Sequence, residues 1–356
     1  MFIVGLGTAF PPHRYTKTDC WEAFRTSAWF ERLDPRARRI AERVLQRDNG
    51  MEARHLSIDC LDEVFAIDPA TLHARFVANA PILAASAARR AMADAGVAAA
   101  DIDAVIVSTC TGYVCPGLTS YVTELVGLRA NAQALDLVGQ GCGAALPNMR
   151  TAAALLTGGC ERVLSVCVEV CSAAMYLDND PGVLISACLF GDGAGAAILS
   201  KQPHPHKRSV RWKAAATLVD PAQRNALRFE QRDGLLRNVL TLAVPKLAAK
   251  YAQQVLGTVL AAEDISKPDI TGWIWHAGGR DVMDALRERI GLTTTDLQHS
   301  AWVLREYGNL SSPFVYAVLQ KALAENAPGG LWWLASFGAG FSSHGALLEV
   351  AWSTQP

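Results

Sequence analysis

Two segments of this chain recur 168 residues further on, and a third motif closes each half in the same order. Residues 102–108 (IDAVIVS) match 270–276 (ITGWIWH), and residues 138–155 (VGQGCGAALPNMRTAAAL) match 306–323 (EYGNLSSPFVYAVLQKAL). Phe190 opens FGDGAGAAIL and Phe337 opens FGAGFSSHGALLEV, one such motif late in each half. A period this long is no solenoid. It predicts a duplicated chain, with two similar αβ halves packed together. Residues 201–209 (KQPHPHKRS) are polar and broken by proline, so they read as the junction, with His204 and His206 as solvated loop residues. The halves are then 1–200 and 210–356. Such halves tend to make a site at their shared centre, where the ends of equivalent strands meet.

Local patterns fill in the halves. Residues 2–7 form a short apolar strand. Their GLGT is not a dinucleotide fingerprint, because the third glycine is missing and Pro11 and Pro12 follow where a helix must begin. Residues 18–47 have helical character, and 32–54 carry seven arginines, most of them suited to a solvated face and a few to phosphates. Residues 76–95 read as an Ala-rich helix ended by Gly96, and 119–126 as a helix ended by Gly127. The apolar runs 103–109 and 162–168 suit strands buried on both faces. Residues 187–199 pass through a glycine-rich bend into another such strand.

Composition narrows the function classes. A chain of 356 residues, 51% hydrophobic and 19% charged, is one large domain or two fused ones and not a disordered chain. A net charge of -1 gives no reason to expect nucleic acid or an anionic membrane as partner. The nine cysteines are odd in number, and no leader pattern precedes them, so a reducing cytoplasmic setting is expected. Cys110 and Cys115 are separated by four residues, Cys167 and Cys171 by three, with no histidine pair nearby, so no metal site is expected. No apolar run reaches transmembrane length.

The chemistry centres on residues 135–149. Leu135, Leu137 and Val138 read as a buried strand, followed by a tight turn and an Ala-rich helix, with Cys142 on the turn. Gly141 and Gly143 permit the bend and leave room for a substrate. A cysteine at a helix start faces unpaired N–H groups and the positive dipole end, which favours the reactive thiolate. The competing reading is one more small buried side chain. The duplication supplies comparisons. The second-half strand ends in His276, and the second-half turn YGNLSS presents Asn309. Singly, His276 fits a satisfied core histidine and Asn309 a turn residue. Jointly, at matched strand ends, they make a nucleophile, a base and a neutral donor.

With these residues assembled, the set Cys142 in GQGCGAA, Phe190 in LFGDGAGA, His276 in WHAGG, Asn309 in YGNLSS and the closing FGAGF resembles the type III polyketide synthases, the chalcone-synthase-like branch of the thiolase fold. The resemblance runs over nearly the whole chain, and VEVCSAAMYLDND is most like bacterial alkylresorcinol and alkylpyrone synthases. It implies an α/β thiolase-like fold with two duplicated αβ halves in five αβαβα layers. It also implies a homodimer with the segment around Cys115 near the interface. Cys142 would attack an acyl-CoA thioester and hold the growing chain. His276 would keep Cys142 as thiolate by ion pairing. His276 and Asn309 would bind the thioester oxygen of malonyl-CoA while it decarboxylates to an enolate. Neither metal nor redox cofactor is implied, only coenzyme A thioesters. Phe190 matches the gate between CoA tunnel and cavity. Cys110, Thr111, Cys115, Cys171, Ala174, Gly278, Ser311 and Phe337 are the further substrate-contacting candidates.

The chain departs from the family pattern in places. HAGG stands for HPGG and FGAG for FGPG. A second gate aromatic is missing from DGLLRNVL, which offers Leu236 or Arg237. Arg43 and Arg47 are the nearby candidates for the CoA phosphates. Cavity positions are small, which suits a long alkyl starter, although Met175, Tyr176, Trp273 and Trp275 are available to close the same space. The expected activity is extension of a fatty acyl-CoA with malonyl-CoA and cyclisation to an alkylresorcinol or alkylpyrone. The alternatives are a small or malonyl starter giving a tetrahydroxynaphthalene-like product, an initiating ketosynthase, or a silent thiolase-fold subunit.

Overall fold

The structure is a computed structural model and describes residues 1–352; residues 353–356 lie outside the described part. Strand β1 (Phe2–Ala9) opens the chain. A small ribbon, β2 (Arg14–Thr16) with β3 (Ala53–His55), encloses helices α1 (Lys17–Arg25), α2 (Ala28–Arg32) and α3 (Pro35–Gln46). The helical character expected over 18–47 is therefore interrupted twice. Ser27 and Asp34 each cap a new helix with a side-chain oxygen, and Pro35 occupies the first turn of α3. Helix α4 (Pro69–Ala95) begins at the Asp68 cap, ahead of Phe76, and ends on Gly96 in the left-handed region.

The first half continues with β4 (Ala104–Ser108), α5 (Leu118–Val126), β5 (Gln133–Leu137), a single 3-10 turn at Gly141–Gly143, α6 (Ala145–Thr157), β6 (Arg162–Glu169), α7 (Pro181–Leu189) and β7 (Gly193–Ser200). The second half contains β8 (Ser209–Val219), the hairpin β9 (Leu227–Arg232) and β10 (Leu235–Leu240), α8 (Val244–Ala262), β11 (Ile270–Trp275), α9 (Arg280–Ile290), α10 (Gln298–Tyr307), α11 (Phe314–Ala324), β12 (Gly330–Gly338) and β13 (Ser342–Ala351).

The main sheet runs β11-β12-β13-β8-β1-β7-β6-β4-β5. Its pairing pattern repeats. β1 with β7 and β7 with β6 are antiparallel, and β6 with β4 is parallel. β8 with β13 and β13 with β12 are antiparallel, and β12 with β11 is parallel. The two half-sheets join at one residue pair, Phe2 with Arg211. α4 and α5 cover the outer face of the first half-sheet, and α8, backed by α9, covers that of the second. α6 and α11 lie between and touch strands of both. The result is the five-layer αβαβα arrangement of the thiolase-like fold.

Helix α11 is apolar nearly all round, as a helix sandwiched between two sheets must be. Its Tyr316 hydroxyl meets Ser165 Oγ on β6 at 2.8 Å, and Ser165 donates to Asn148 Oδ1 on α6 at 2.6 Å. Asn148 Nδ2 in turn donates to Ser108 Oγ at 2.9 Å. These buried polar groups satisfy one another and tie both central helices to the first half-sheet.

One expectation fails at the edge. The strand before the Cys142 turn is not buried: β5 is exposed over its first four residues, with Leu135 40% exposed and Leu137 half-buried, and Val138 just after it is 54% exposed. Among the described residues β5 is the last strand of the sheet and pairs with β4 alone, so no described strand pairs with its far edge.

Candidate active site

The Cys142 turn is built by glycines that let two backbones touch. Gly141 sits at φ +57, in the left-handed region. A Cβ on Gly143 would stand 3.0 Å from Gly338 N, and one on Gly338 would stand 2.3 Å from Gln140 O and 2.6 Å from Gly143 N. The turn of the first half thus lies directly on the closing FGAG segment of the second. Ser336 Oγ adds a hydrogen bond to Gly143 O at 3.1 Å. Cys142 is 8% exposed.

From the second half, Asn309 is held on both sides of its peptide. Its N–H donates to Leu189 O at 2.9 Å, and its carbonyl accepts from Gly191 N at 3.0 Å, so it bridges the segment carrying Phe190. Asn309 Oδ1 accepts from Ser311 N at 2.9 Å, which leaves Nδ2 to donate, here to Gly278 O at 3.3 Å. The same turn puts Ser311 at φ +58 and aims its hydroxyl at Cys142 Sγ, 3.1 Å away. His276 follows the last residue of β11, with its N–H on Ala335 O at 2.9 Å. Phe314 and Phe337 meet its ring edge-on at 5.2 and 5.8 Å. A Cβ at Gly278 would be 3.8 Å from Asn309 Nδ2 and 3.9 Å from His276 Nε2, so both nitrogens face the space that this glycine leaves open.

Burial dominates the electrostatics. It pushes the Cys142 thiol up to about 12 and the His276 imidazole down to about 3. Both groups are therefore neutral near pH 7. The Ser311 hydroxyl pulls the thiol the other way, without overcoming the loss of water. This departs from the thiolate expected from a helix start. The turn is a single 3-10 turn ahead of α6, and the partial charge of a helix end is small beside full desolvation. Next to the thiol lies a buried carboxylate, Glu169, at the end of β6. It accepts from Ser312 Oγ (2.5 Å), Thr111 Oγ1 (2.9 Å) and Cys110 N (3.0 Å), and burial still raises its pKa. Cys110 Sγ lies between Glu169 (3.3 Å) and Ser311 Oγ (3.5 Å).

A small cavity, partly open to solvent, has Thr111, Cys171, Ala174, Phe190, Phe229 and Asn238 among its walls. Met175 and Ala187 line it too, and line a second cavity beyond.

A model of the FAE1/type III polyketide synthase-like protein family matches residues 8–223. The chain belongs to the type III polyketide synthase family. The chalcone and stilbene synthase C-terminal domain matches residues 213–349. The chain is 29% identical over 353 residues to 1,3,6,8-tetrahydroxynaphthalene synthase of Streptomyces peucetius subsp. caesius, covering 98% of this chain and 92% of that one. It is 27% identical over 362 residues to 3,5-dihydroxyphenylacetyl-CoA synthase of Streptomyces toyocaensis, covering 98% and 89%. Among solved structures, the Streptomyces coelicolor tetrahydroxynaphthalene synthase superposes with a TM-score of 0.89 over 100% of both chains at 24% identity. A type III pentaketide synthase of Neurospora crassa gives 0.85 over 98% and 99% at 25% identity. As a type III polyketide synthase the chain is an acyltransferase that condenses malonyl-CoA with acyl-CoA.

In this type III polyketide synthase Cys142, His276, Asn309, Gly278, Ser311 and Phe337 come together, and Cys110 joins them through Ser311. Thr111, Cys171, Ala174 and Phe190 line the cavity. Cys115 does not line it; it is exposed on the loop that leaves β4 at the sheet edge. Arg43 and Arg47 are exposed at the end of α3 and make no ion pair among the described residues. Phe229, on the strand neighbouring DGLLRNVL in the hairpin, lines the cavity, while Arg237 is tied up with Glu230, Asp178 and Asp180. Met175 and Tyr176 do close the cavity, whereas Trp273 and Trp275 stack 6.0 Å apart in the second-half core. Sequence reading missed Glu169, whose signal was a lone acid ending an apolar strand, RVLSVCVE. It also missed Phe229 and Asn238, which only the hairpin's folding brings to the cavity.

Proposed function

We propose that Cys142 is the nucleophile that carries the acyl chain, with His276 and Asn309 as its partners. The observation supporting this is the buried chain of contacts in which Ser311 touches both Cys142 and Asn309, while Asn309 Nδ2 and His276 Nε2 face the same space at Gly278. Neutral His276 takes the thiol proton as Cys142 Sγ attacks the acyl-CoA carbonyl, and CoA leaves as its thiolate. The proton now on His276 Nε2 and the Asn309 amide then donate to the thioester oxygen of malonyl-CoA. The C–CO2 bond breaks, CO2 departs, and the electron pair becomes an enolate held by those two donors. The enolate carbon attacks the Cys142 thioester, and the sulfur leaves as thiolate beside the imidazolium. CoA thioesters are the only small molecules the cycle uses.

For the starter we favour a fatty acyl-CoA, with cyclisation to an alkylresorcinol or alkylpyrone. Support comes from the small or apolar cavity walls at Cys171, Ala174, Met175, Val183 and Ala187. A second reading is a small or malonyl starter with a tetrahydroxynaphthalene-like product. It is supported by the two Streptomyces relatives, named for tetrahydroxynaphthalene and dihydroxyphenylacetyl-CoA synthesis.

Further parts of the proposal concern assembly and setting. The halves are 1–200 and 210–356. The unpaired edge of β5, with Val138 54% and Tyr113 73% exposed beside the Cys115 loop, suits pairing with a second copy in a homodimer. Nine free cysteines suit a reducing cytoplasm. No described helix is long and apolar enough to cross a membrane.

The test is incubation with malonyl-CoA and acyl-CoAs from acetyl to stearoyl, following CO2 release and product mass. Absence of CO2 release with every starter would sink the proposed chemistry. Products that carry the long alkyl chain support the first starter reading, and products built from malonyl units alone support the second.

A further inference from the structure

The hairpin of β9 and β10 puts a polar side chain on the cavity wall. Asn238 on β10 lies directly opposite Phe229 on β9, and side chains alternate along a strand, so these two share the hairpin face that lines the cavity with Phe190. The residue before it, Arg237, lies on the opposite face and is held by Glu230, Asp178 and Asp180. Just beyond it, Leu240 O comes so close to α7 that a Cβ on Gly182 would stand 2.1 Å away. The strand is thus fixed on both sides of Asn238.

The hydrogen bonds around Asn238 leave one of its atoms over. Ser186 Oγ on α7 donates its proton to Gly182 O at 2.8 Å, so towards Asn238 it can only accept. The Asn238 group that faces it, 3.0 Å away, is therefore the amide nitrogen. That fixes the orientation of the amide and leaves Oδ1 as an acceptor that no described protein donor meets. Asn238 is 7% exposed, so solvent barely reaches it. A buried acceptor in this state costs free energy, and it discriminates between ligands. A group that donates to it removes the cost, whereas a hydrocarbon leaves it in place.

We propose that Asn238 Oδ1 is a substrate-recognising acceptor of the cavity, taking a hydrogen bond from a neutral O–H or N–H donor of the polyketide substrate. Two groups in the reaction have that chemistry. One is the amide N–H of the pantetheine arm of a CoA thioester, and the other is the enol O–H of the growing β-ketoacyl chain. A saturated alkyl chain has neither. The proposal rests on the Phe190 cavity being the place where malonyl-CoA is condensed, and it holds for either starter reading.

The experiment compares the full-length wild-type enzyme with Asn238→Leu and Asn238→Ala. Leu keeps the bulk without the acceptor, and Ala removes the acceptor without adding bulk. Each is assayed with malonyl-CoA and the acyl-CoA that wild type uses best, for KM, kcat and product masses. Circular dichroism and thermal melts show which variant is folded, and either one suffices. If the donor is the pantetheine amide, KM for malonyl-CoA rises about fivefold or more while the product masses stay as in wild type. If the donor is the enol, KM stays within about twofold and the ratio of products with fewer malonyl units to full-length product rises about fivefold or more. A folded variant with KM and product ratio both within about twofold of wild type overturns the proposal. So does a fall in kcat alone, which a merely structural role would produce. A wild type that releases no CO2 is instead a failure of the proposed function itself.

Discussion

The Ser311 hydroxyl donates to Cys142 Sγ at 3.1 Å, joining a turn of the second half to the turn of the first. It is the hydrogen bond that stabilises charge on a sulfur otherwise cut off from water. Because burial raises the thiol to about 12 and lowers His276 to about 3, neither group titrates between pH 5 and 9 in the resting enzyme. Inactivation by iodoacetamide should therefore accelerate about tenfold per pH unit through the neutral range, with no plateau below pH 10. A plateau near pH 6 would instead reveal a standing thiolate–imidazolium pair. Ser311→Ala should slow inactivation at pH 8 by about fivefold, the worth of one hydrogen bond of roughly 1 kcal/mol.

Asn309→Ala removes the amide donor of the proposed mechanism and one side-chain acceptor of the turn. Release of CO2 from malonyl-CoA should fall by roughly 10²-fold or more. Stability should fall by about 1–3 kcal/mol, because the side-chain hydrogen bonds with Ser311 N and Gly278 O are both lost. Denaturant titration beside the CO2 assay separates the two effects.

Gly338→Ala tests the contact between the halves. Its Cβ would fall 2.3 Å from Gln140 O, backbone against backbone, so the Cys142 turn must move. The expected outcome is loss of activity by about 10²-fold from misplacing the sulfur, with a lowered melting temperature. Gly158→Ala is the control: φ is -76 there and the nearest atom to a new Cβ is 3.4 Å away, so activity should persist.

Acid stability should depend on His344. Burial, with a smaller contribution from Arg150, lowers its pKa to about 4. The unfolded chain takes up a proton near pH 6.5 that the folded chain refuses until about pH 4. Stability is therefore lost as pH falls through that window, by up to ~1.4 kcal/mol per unit for this group. His344→Gln should flatten the dependence of unfolding free energy on pH between 6.5 and 4. An unchanged slope would assign the acid sensitivity to other groups.

Legibility from sequence followed the range of the forces involved. β4 was readable because five consecutive buried residues, AVIVS, sit between two other strands and under helices on both faces. α4 and α5 ended where Gly96 and Gly127 supply left-handed backbone. β5 has a similar apolar pattern at Leu135 and Val138 but lies at the edge, and nothing within the strand says so. Phe229 was invisible for a related reason. The pairing of β9 with β10 decides which residues of the hairpin look into the cavity, and Arg237 turns to three carboxylates instead.

The amino-acid sequence by itself determined the duplication, the strand and turn that carry Cys142, and the positions of His276 and Asn309 at matched ends in the other half. Those features rest on local periodicity and on glycines at bends, which act within a few residues. Only the tertiary structure decided that Cys142 and His276 are both neutral at rest, and that Glu169 sits among five donors. Each of these depends on water being removed by side chains from distant parts of the chain, and desolvation is a property of the packed halves, not of any segment.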